Sequence, residues 1–335
     1  MALSDQWEIV AHATISHIGN GIGFLRQRQP SLRYLRAMIV HLIDGTYELY
    51  RQHFGQAVRH SSPPPLSATR GVVTSTLQLL VGGATHVTVA VDHVIESFRN
   101  QMYEGYKTSD GMEVEILEQI PLMEDALRAL GVPVWPMVKY EADDGLAAGA
   151  LIASLDDRVD QVQMITPDKD LGQCVVGNRV VQYDRRNDLI VNETAIIEKF
   201  GVGPASIADW LGLVGDTADG FPGLPGWGAK SATSVLSRYL HIGDIPDSEA
   251  QWATDGVVVR GAAKLAATLR DQRPMAELFK QVATVVTDVS DDVPLGSVDD
   301  WEWRGPTKDL GAIAKQLNMT DLVERTERAM VGRRS

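Results

Sequence analysis

Of 335 residues only Cys174 is a cysteine, so the chain has neither an internal disulfide nor a cysteine-cluster zinc or iron–sulfur site. That scarcity fits a reducing compartment, and the expected location is the cytoplasm. No stretch approaches the ~18–20 unbroken apolar residues of a membrane-spanning helix. The first 40 residues also lack a signal-peptide core with a small-residue cleavage site. A membrane partner is therefore not expected, and nothing in the composition points to a protein partner. Aromatic residues are sparse at 6%, and bases are outnumbered, 31 Lys and Arg against 44 Asp and Glu, for a net charge of −13. Taken alone, that balance argues against nonspecific nucleic-acid binding, which needs a basic footprint. What is present is core: 44% hydrophobic residues, over a length sufficient for about two domains.

Residues 1–37 read as an N-terminal extension with Arg26, Arg28, Arg33 and Arg36 against Asp5 and Glu8, and Met38 as the start of the fold. Three apolar runs have the pattern of strands buried on both faces: Met38–Ile43, His86–Val91 and Gln161–Ile165. Val132–Val138 reads as a further strand, and Val180–Tyr183 with Leu189–Val191 as an edge hairpin. Helix-like runs lie between them, at Val72–Val81 after a proline-rich loop and at Asp143–Leu155. Alternating strands and helices imply an α/β domain with a mostly parallel sheet, placed at residues 38–195. From about Ile196 the chain changes to short helices broken by glycine and proline, with the densest turn at Gly220–Gly228 and a helix at Ala229–Leu240. Residues 196–293 are read as this helical domain, and 294–335 as a C-terminal tail with a helix from Leu310 to Met330.

Each buried strand ends in aspartate. Asp44 follows the first and Asp92 the second, and Asp168 and Asp170 come just after the third. A fourth group, Glu141, Asp143 and Asp144, opens a helix, and a fifth, Asp216 and Asp219, lies three residues apart in the helical region. One aspartate after a strand is ordinarily a turn residue or helix N-cap. Five groups converging on the carboxyl edge of a parallel sheet are different, because crowded like charges are costly unless cations neutralise them. Oxygen ligands without cysteine or clustered histidine suit Mg²⁺ or Mn²⁺. Setting those nine acids aside leaves 35 of the 44 against 31 bases, a near balance that is compatible with a polyanionic substrate.

These motifs resemble the bacterial 5′→3′ exonuclease/flap endonuclease family, in a stand-alone form. The resemblance is carried by Ile43-Asp44-Gly45-Thr46 with Leu49-Tyr50-Arg51, by Val89-Ala90-Val91-Asp92, and by Ser97-Phe98-Arg99. Tyr103 to Lys107, Tyr140 to Asp144, Thr166 to Leu171, and Gly215 to Lys230 complete it. It implies a PIN-like α/β nuclease domain followed by a helix–three-turn–helix domain. It further implies two Mg²⁺ ions, with Mn²⁺ as a substitute, held by the nine carboxylates, and K⁺ as a candidate at the glycine turn. Lys107 and Arg99 match the family's basic residues near the scissile phosphate. Tyr50 could stack on an unpaired base. Arg51, Arg70, Gly223, Gly226, Gly228 and Lys230 are candidate DNA contacts, the glycines by letting backbone groups approach a phosphate.

The implied function is metal-dependent hydrolysis of DNA near 5′ ends, flaps or branch junctions in replication or repair, with RNA–DNA hybrids as a side substrate. Ala218, Gly220, Trp227, Gly172 and Thr108-Ser109-Asp110 depart from the family pattern. They motivate the alternative of a non-catalytic, structure-selective DNA-binding protein on the same fold. A phosphatase reading of Asp44-Gly45-Thr46 fails, because Leu42 stands where that chemistry needs an aspartate.

Overall fold

The computed structural model describes residues 37–57 and 64–334. All of the N-terminal extension except Ala37, and part of the proline-rich loop, lie outside the described residues. Among the described residues six strands form one sheet: β1 (Ile39–Asp44), β2 (His86–Asp92), β3 (Val134–Met137), β4 (Gln161–Ile165), β5 (Val180–Asp184) and β6 (Leu189–Val191). Their order is β3-β2-β1-β4-β5-β6, with β6 antiparallel and every other pairing parallel. Ile43 is in register with Val89 on one side and Ile165 on the other, so the three apolar runs form the centre of the sheet. The chain leaves β1 for β2 on one side, and β4 joins on the other. This is a topological switch point, and it opens a crevice beyond the strand ends where Asp44, Asp92 and Asp168 emerge.

Helices cover both faces. Helix α1 (Gly45–Ala57), which its mostly polar sequence did not announce, begins directly after β1. Gly45 starts it because a Cβ there would lie 2.6 Å from Val89 Cγ1 and 2.9 Å from the Ala90 carbonyl oxygen. Helix α2 (Ser67–Val81) begins one turn earlier than its apolar run suggests, and α3 (Ile120–Ala129) precedes β3. Helix α4 (Ala142–Ser154) lies close on the sheet, since a Cβ on Gly149 would approach the Trp135 ring to 2.6 Å.

The helical region follows with α5 (Glu193–Phe200), α6 (Ile207–Val214), α7 (Ala229–Tyr239) and α8 (Ala262–Ala283). Helix α8 kinks at Gln272, two residues before Pro274, which lacks an amide donor. Gly212 lets α6 lie against α8, as a Cβ there would come within 2.9 Å of the Ala276 carbonyl oxygen. None of the helices among the described residues is long and apolar enough to cross a membrane.

The single tail helix expected from the sequence is two helices, α9 (Leu310–Gln316) and α10 (Leu322–Arg334), separated where Asn318 adopts φ 53°. The tail returns to the first domain. Trp301 meets Trp135 edge-on at 5.4 Å, and the Trp303 indole N–H donates to the Leu130 carbonyl at 2.8 Å. Trp303, Leu310, Leu317 and Leu322 belong to the same core as Val73, Leu77 and Leu127. Gly131, at φ 86°, is pressed so closely that a Cβ would lie 1.9 Å from the Gly305 carbonyl oxygen.

Candidate metal centre and nucleic-acid interface

The carboxylates collect in two groups beyond the sheet's carboxyl edge. In the first, Asp44 accepts the Tyr47 amide at 2.8 Å on Oδ1 and the Thr166 hydroxyl at 3.0 Å on Oδ2. Asp92 accepts the Ala142 amide at 2.7 Å, tying the end of β2 to the start of α4. Burial raises Asp44 to about 7, and the charges of Asp92 and Asp168 push it the same way. Burial likewise raises Asp92, helped by Glu141, and raises Asp143, helped by Asp168 and Asp44. The second group is Asp170, Asp216 and Asp219, each with an oxygen within 4.8 Å of the others. Asp170 Oδ1 is buried without a hydrogen-bond partner. Burial pushes Asp170 well above the usual carboxylate range, and so do Asp168, Asp219 and Asp216 around it. Asp168 pushes up acids of both groups and lines one cavity with Asp44 and Lys169.

Crowded acids with an orphaned oxygen fit a hard divalent cation. The set also contains its own cations. Lys107 Nζ lies 3.0 Å from Glu141 Oε2 and 2.8 Å from Asp219 Oδ1, and Lys169 Nζ pairs with Asp216 Oδ2. Gly220 makes the first arrangement possible: at φ 87° it packs on the Gly105 carbonyl, where a Cβ would lie 2.2 Å from the oxygen. The Lys107 amide then donates to the Asp219 carbonyl at 3.0 Å, which explains a glycine at that departure from the family pattern.

Glu141, Asp144 and Arg99 form a different unit. Glu141 Oε1 receives Ser97 Oγ at 2.7 Å and Arg99 Nη1 at 3.2 Å, and Oε2 receives Tyr106 OH at 3.1 Å besides Lys107. Burial opposes its ionisation, yet Arg99 and Lys107 hold it down to about 2. Asp144 is fully buried, and its oxygens take both Arg99 Nη groups and the Glu141 and Val286 amides. Arg99 Nε and Nη2 also donate to the Val282 and Thr284 carbonyls. The sequence reading set Asp144 among the metal ligands and Arg99 at the phosphate. The geometry instead places both in a buried clamp between the sheet domain and the end of α8, with Arg99 3% exposed.

The 5′-3′ exonuclease N-terminal resolvase-like domain matches residues 39–201, and the family's C-terminal SAM fold matches residues 202–309. The 5′-3′ exonuclease of Aquifex aeolicus is 32% identical over 216 residues, covering 62% of this chain and 71% of that protein. The chain belongs to the 5′-3′ exonuclease family. The DNA polymerase I of Bacillus caldotenax is 30% identical over 293 residues, 85% of this chain, and the chain spans 32% of that longer protein. Two solved structures share the fold. One is T5 5′-exonuclease with divalent zinc ions bound, at TM-score 0.60 and 17% identity, covering 84% of this chain and 98% of that one. The other is the catalytic core of Rad2 in complex with DNA substrate, at TM-score 0.56 and 16% identity, covering 91% and 95%.

The family's glycine turn joins α6 to α7. Gly215 and Gly223, at φ 87° and 69°, are back to back, since a Cβ on Gly223 would lie 2.4 Å from the Gly215 nitrogen. That contact sets the loop from which Asp216 and Asp219 project. Gly226 and Gly228 face open space, with nothing within 4 Å of an added Cβ, and Lys230 is exposed beside them.

Tyr50 is half-buried, with its hydroxyl on Met112 Sδ at 3.0 Å. Its ring lies 6.2 Å from that of Phe54, which is 48% exposed and was missed from sequence because one phenylalanine in a polar helix gives no signal. Arg51 is paired with Glu48, and Arg70 Nη1 donates to the Leu317 carbonyl at 3.3 Å. Both arginines line a cavity of about 710 Å³ together with Arg185 and Arg186 of the β5–β6 turn. These last two belong to the turn of the edge hairpin expected from the sequence.

Proposed function

We propose that the chain is a divalent-metal-dependent nuclease that hydrolyses DNA phosphodiester bonds, as a 5′→3′ exonuclease and flap endonuclease acting in replication or repair. The observation that carries this reading is the gathering of Asp170, Asp216 and Asp219, with oxygens within 4.8 Å of one another, at a buried Asp170 whose Oδ1 has no hydrogen-bond partner. Asp170, Asp216 and Asp219 would hold one Mg²⁺, and Asp44, Asp92, Asp143 and Asp168 the other, with Mn²⁺ as a substitute. When bound, such ions supply activation of water and neutralisation of charge on the leaving oxygen.

The protein's own groups supply position. Glu141 has both oxygens engaged and so serves to hold the Lys107 ammonium beside Asp219, where it can draw a phosphate toward the carboxylates. Tyr50 and Phe54 offer a stacking surface for unpaired bases. The open glycine turn with Lys230 offers backbone amides to duplex phosphates, and K⁺ would bridge there. RNA–DNA hybrids are a further substrate on this reading, and the single buried cysteine supports a cytoplasmic setting.

The test is cleavage of end-labelled single-stranded, blunt, nicked and 5′-flapped DNA with Mg²⁺ or EDTA. Product from the flapped or nicked 5′ ends, lost in EDTA and in Asp168→Ala, supports the proposal. Tight flap binding without product in Mg²⁺ or Mn²⁺ overturns it in favour of the non-catalytic binder.

A further inference from the structure

The two lysines at the second carboxylate group are held differently. Lys107 is fixed by two acids and by its own amide, and its ammonium lies 5.4 Å from the centre of the Tyr106 ring. Lys169 has one acidic partner, Asp216, and a long flexible stem that is one-third exposed. Asp216 divides its two oxygens. Oδ1 accepts the Ala218 amide at 3.0 Å, and Oδ2, among the described residues, faces only the Lys169 ammonium. An ion that coordinates Asp216 through Oδ2 must therefore take the place of that ammonium. Asp170, a member of the same group, has one buried oxygen, Oδ1, without a hydrogen-bond partner.

We propose that Lys169 is a built-in counter-cation of the Asp170–Asp216–Asp219 group that competes with the divalent ion for Asp216 and so sets its affinity. The inference rests on the reading of this group as a metal site. Without a divalent ion, the ammonium screens the crowded acids and keeps the loop closed on them. On ion binding it is released to solvent, to which its stem is already one-third exposed; Lys169 and Lys199 both line the adjoining cavity of about 340 Å³. Like charges cannot share one carboxylate cheaply, so ion and ammonium exclude each other by direct repulsion. Lys169 is thus a positioning residue for the metal, distinct from Lys107, whose double anchorage keeps it in place.

Titration with Ca²⁺, followed by calorimetry and by thermal unfolding, tests this without any turnover. Lys169→Met is expected to bind Ca²⁺ about tenfold more tightly than the wild type and to unfold several degrees lower in EDTA, a loss that Ca²⁺ restores. Lys199→Met removes the same charge from the same cavity, but Lys199 makes no ion pair with these acids among the described residues and lies over the Phe200 ring. Its Ca²⁺ affinity should stay within about twofold of the wild type. Lys169→Arg should retain wild-type affinity, and Lys169→Gln provides a second neutral variant should the methionine variant fold poorly. Equal gains in Lys169→Met and Lys199→Met, or none in either neutral Lys169 variant, overturn the proposal. A wild-type protein that binds no Ca²⁺, Mg²⁺ or Mn²⁺ overturns the metal-site reading itself, and the proposal with it.

Discussion

Arg99 and Asp144 close on each other through two parallel hydrogen bonds, Nη1 to Oδ2 at 2.7 Å and Nη2 to Oδ1 at 2.8 Å. The remaining Arg99 donor, Nε, reaches the Val282 carbonyl at 2.8 Å, while Nη1 and Nη2 also serve Glu141 and Thr284. The pair therefore joins the start of α4 to the end of α8. Removing one partner of such a buried pair leaves an uncompensated charge, at a cost of about 3–5 kcal/mol. Arg99→Met should lose stability on that scale in urea unfolding, and Arg99→Met/Asp144→Leu should recover part of it. An Arg99→Met protein of wild-type stability but without DNA affinity would return Arg99 to the phosphate.

Asp170→Ala removes the orphaned oxygen from the second carboxylate group. Cleavage of a 5′-flap in Mg²⁺ should fall at least about a hundredfold, the usual scale for losing one preorganised electrostatic contribution. Relief of crowding should at the same time raise the melting temperature in EDTA by a few degrees. The two opposite changes, measured on one preparation, separate a ligand from a fold-maintaining residue.

The glycine turn makes a paired prediction. Gly223→Ala would force a Cβ to within 2.4 Å of the Gly215 nitrogen at a positive φ, so folding should suffer by about 2 kcal/mol or more. Gly228 has an extended backbone, φ −155° and ψ 174°, and nothing within 4 Å of an added Cβ. Gly228→Ala should unfold at the wild-type temperature yet bind duplex DNA several-fold more weakly, by filtration or anisotropy, because the methyl occupies the approach of the phosphate.

His41 is buried in β1 three residues before Asp44, with its Nδ1 3.4 Å from the His86 carbonyl oxygen. Burial lowers it from its ordinary 6.5 to about 4. Between those values the unfolded chain binds a proton that the folded chain refuses. His41 thus costs the fold nothing above pH 6.5, and stability is lost as pH falls from 6.5 toward 4, by up to ~3 kcal/mol. His41→Asn should flatten this slope, read as the difference in urea midpoint between variant and wild type across pH 4–7.5.

Strand positions and their terminal aspartates were legible because the central strands are short, mostly apolar runs bounded by polar residues; β4 begins and ends where its run does, at Gln161 and Ile165. Helix α1 was not, since its residues lack apolar periodicity and it is held in place by packing on α2 and β2 instead. The buried contacts of Arg99 were hidden for a related reason: two of its acceptors, Val282 and Thr284, lie more than 180 residues away in sequence. Arg185 and Arg186 read as an ordinary turn because the cavity they share with Arg51 and Arg70 exists only after β5 and β6 fold beside α1 and α2.

The return of the tail onto the first domain has a consequence for synthesis. Trp303 and Leu310 complete a core begun by residues such as Val73 and Leu77, more than 200 positions upstream. While a ribosome is still making the helical region, that flank of the emerging sheet domain has an open apolar surface, and Gly131 has no carbonyl to lean on. The sheet domain, which holds most of the carboxylates, is thus sealed on that flank only after residues Trp303 to Leu322 have been translated.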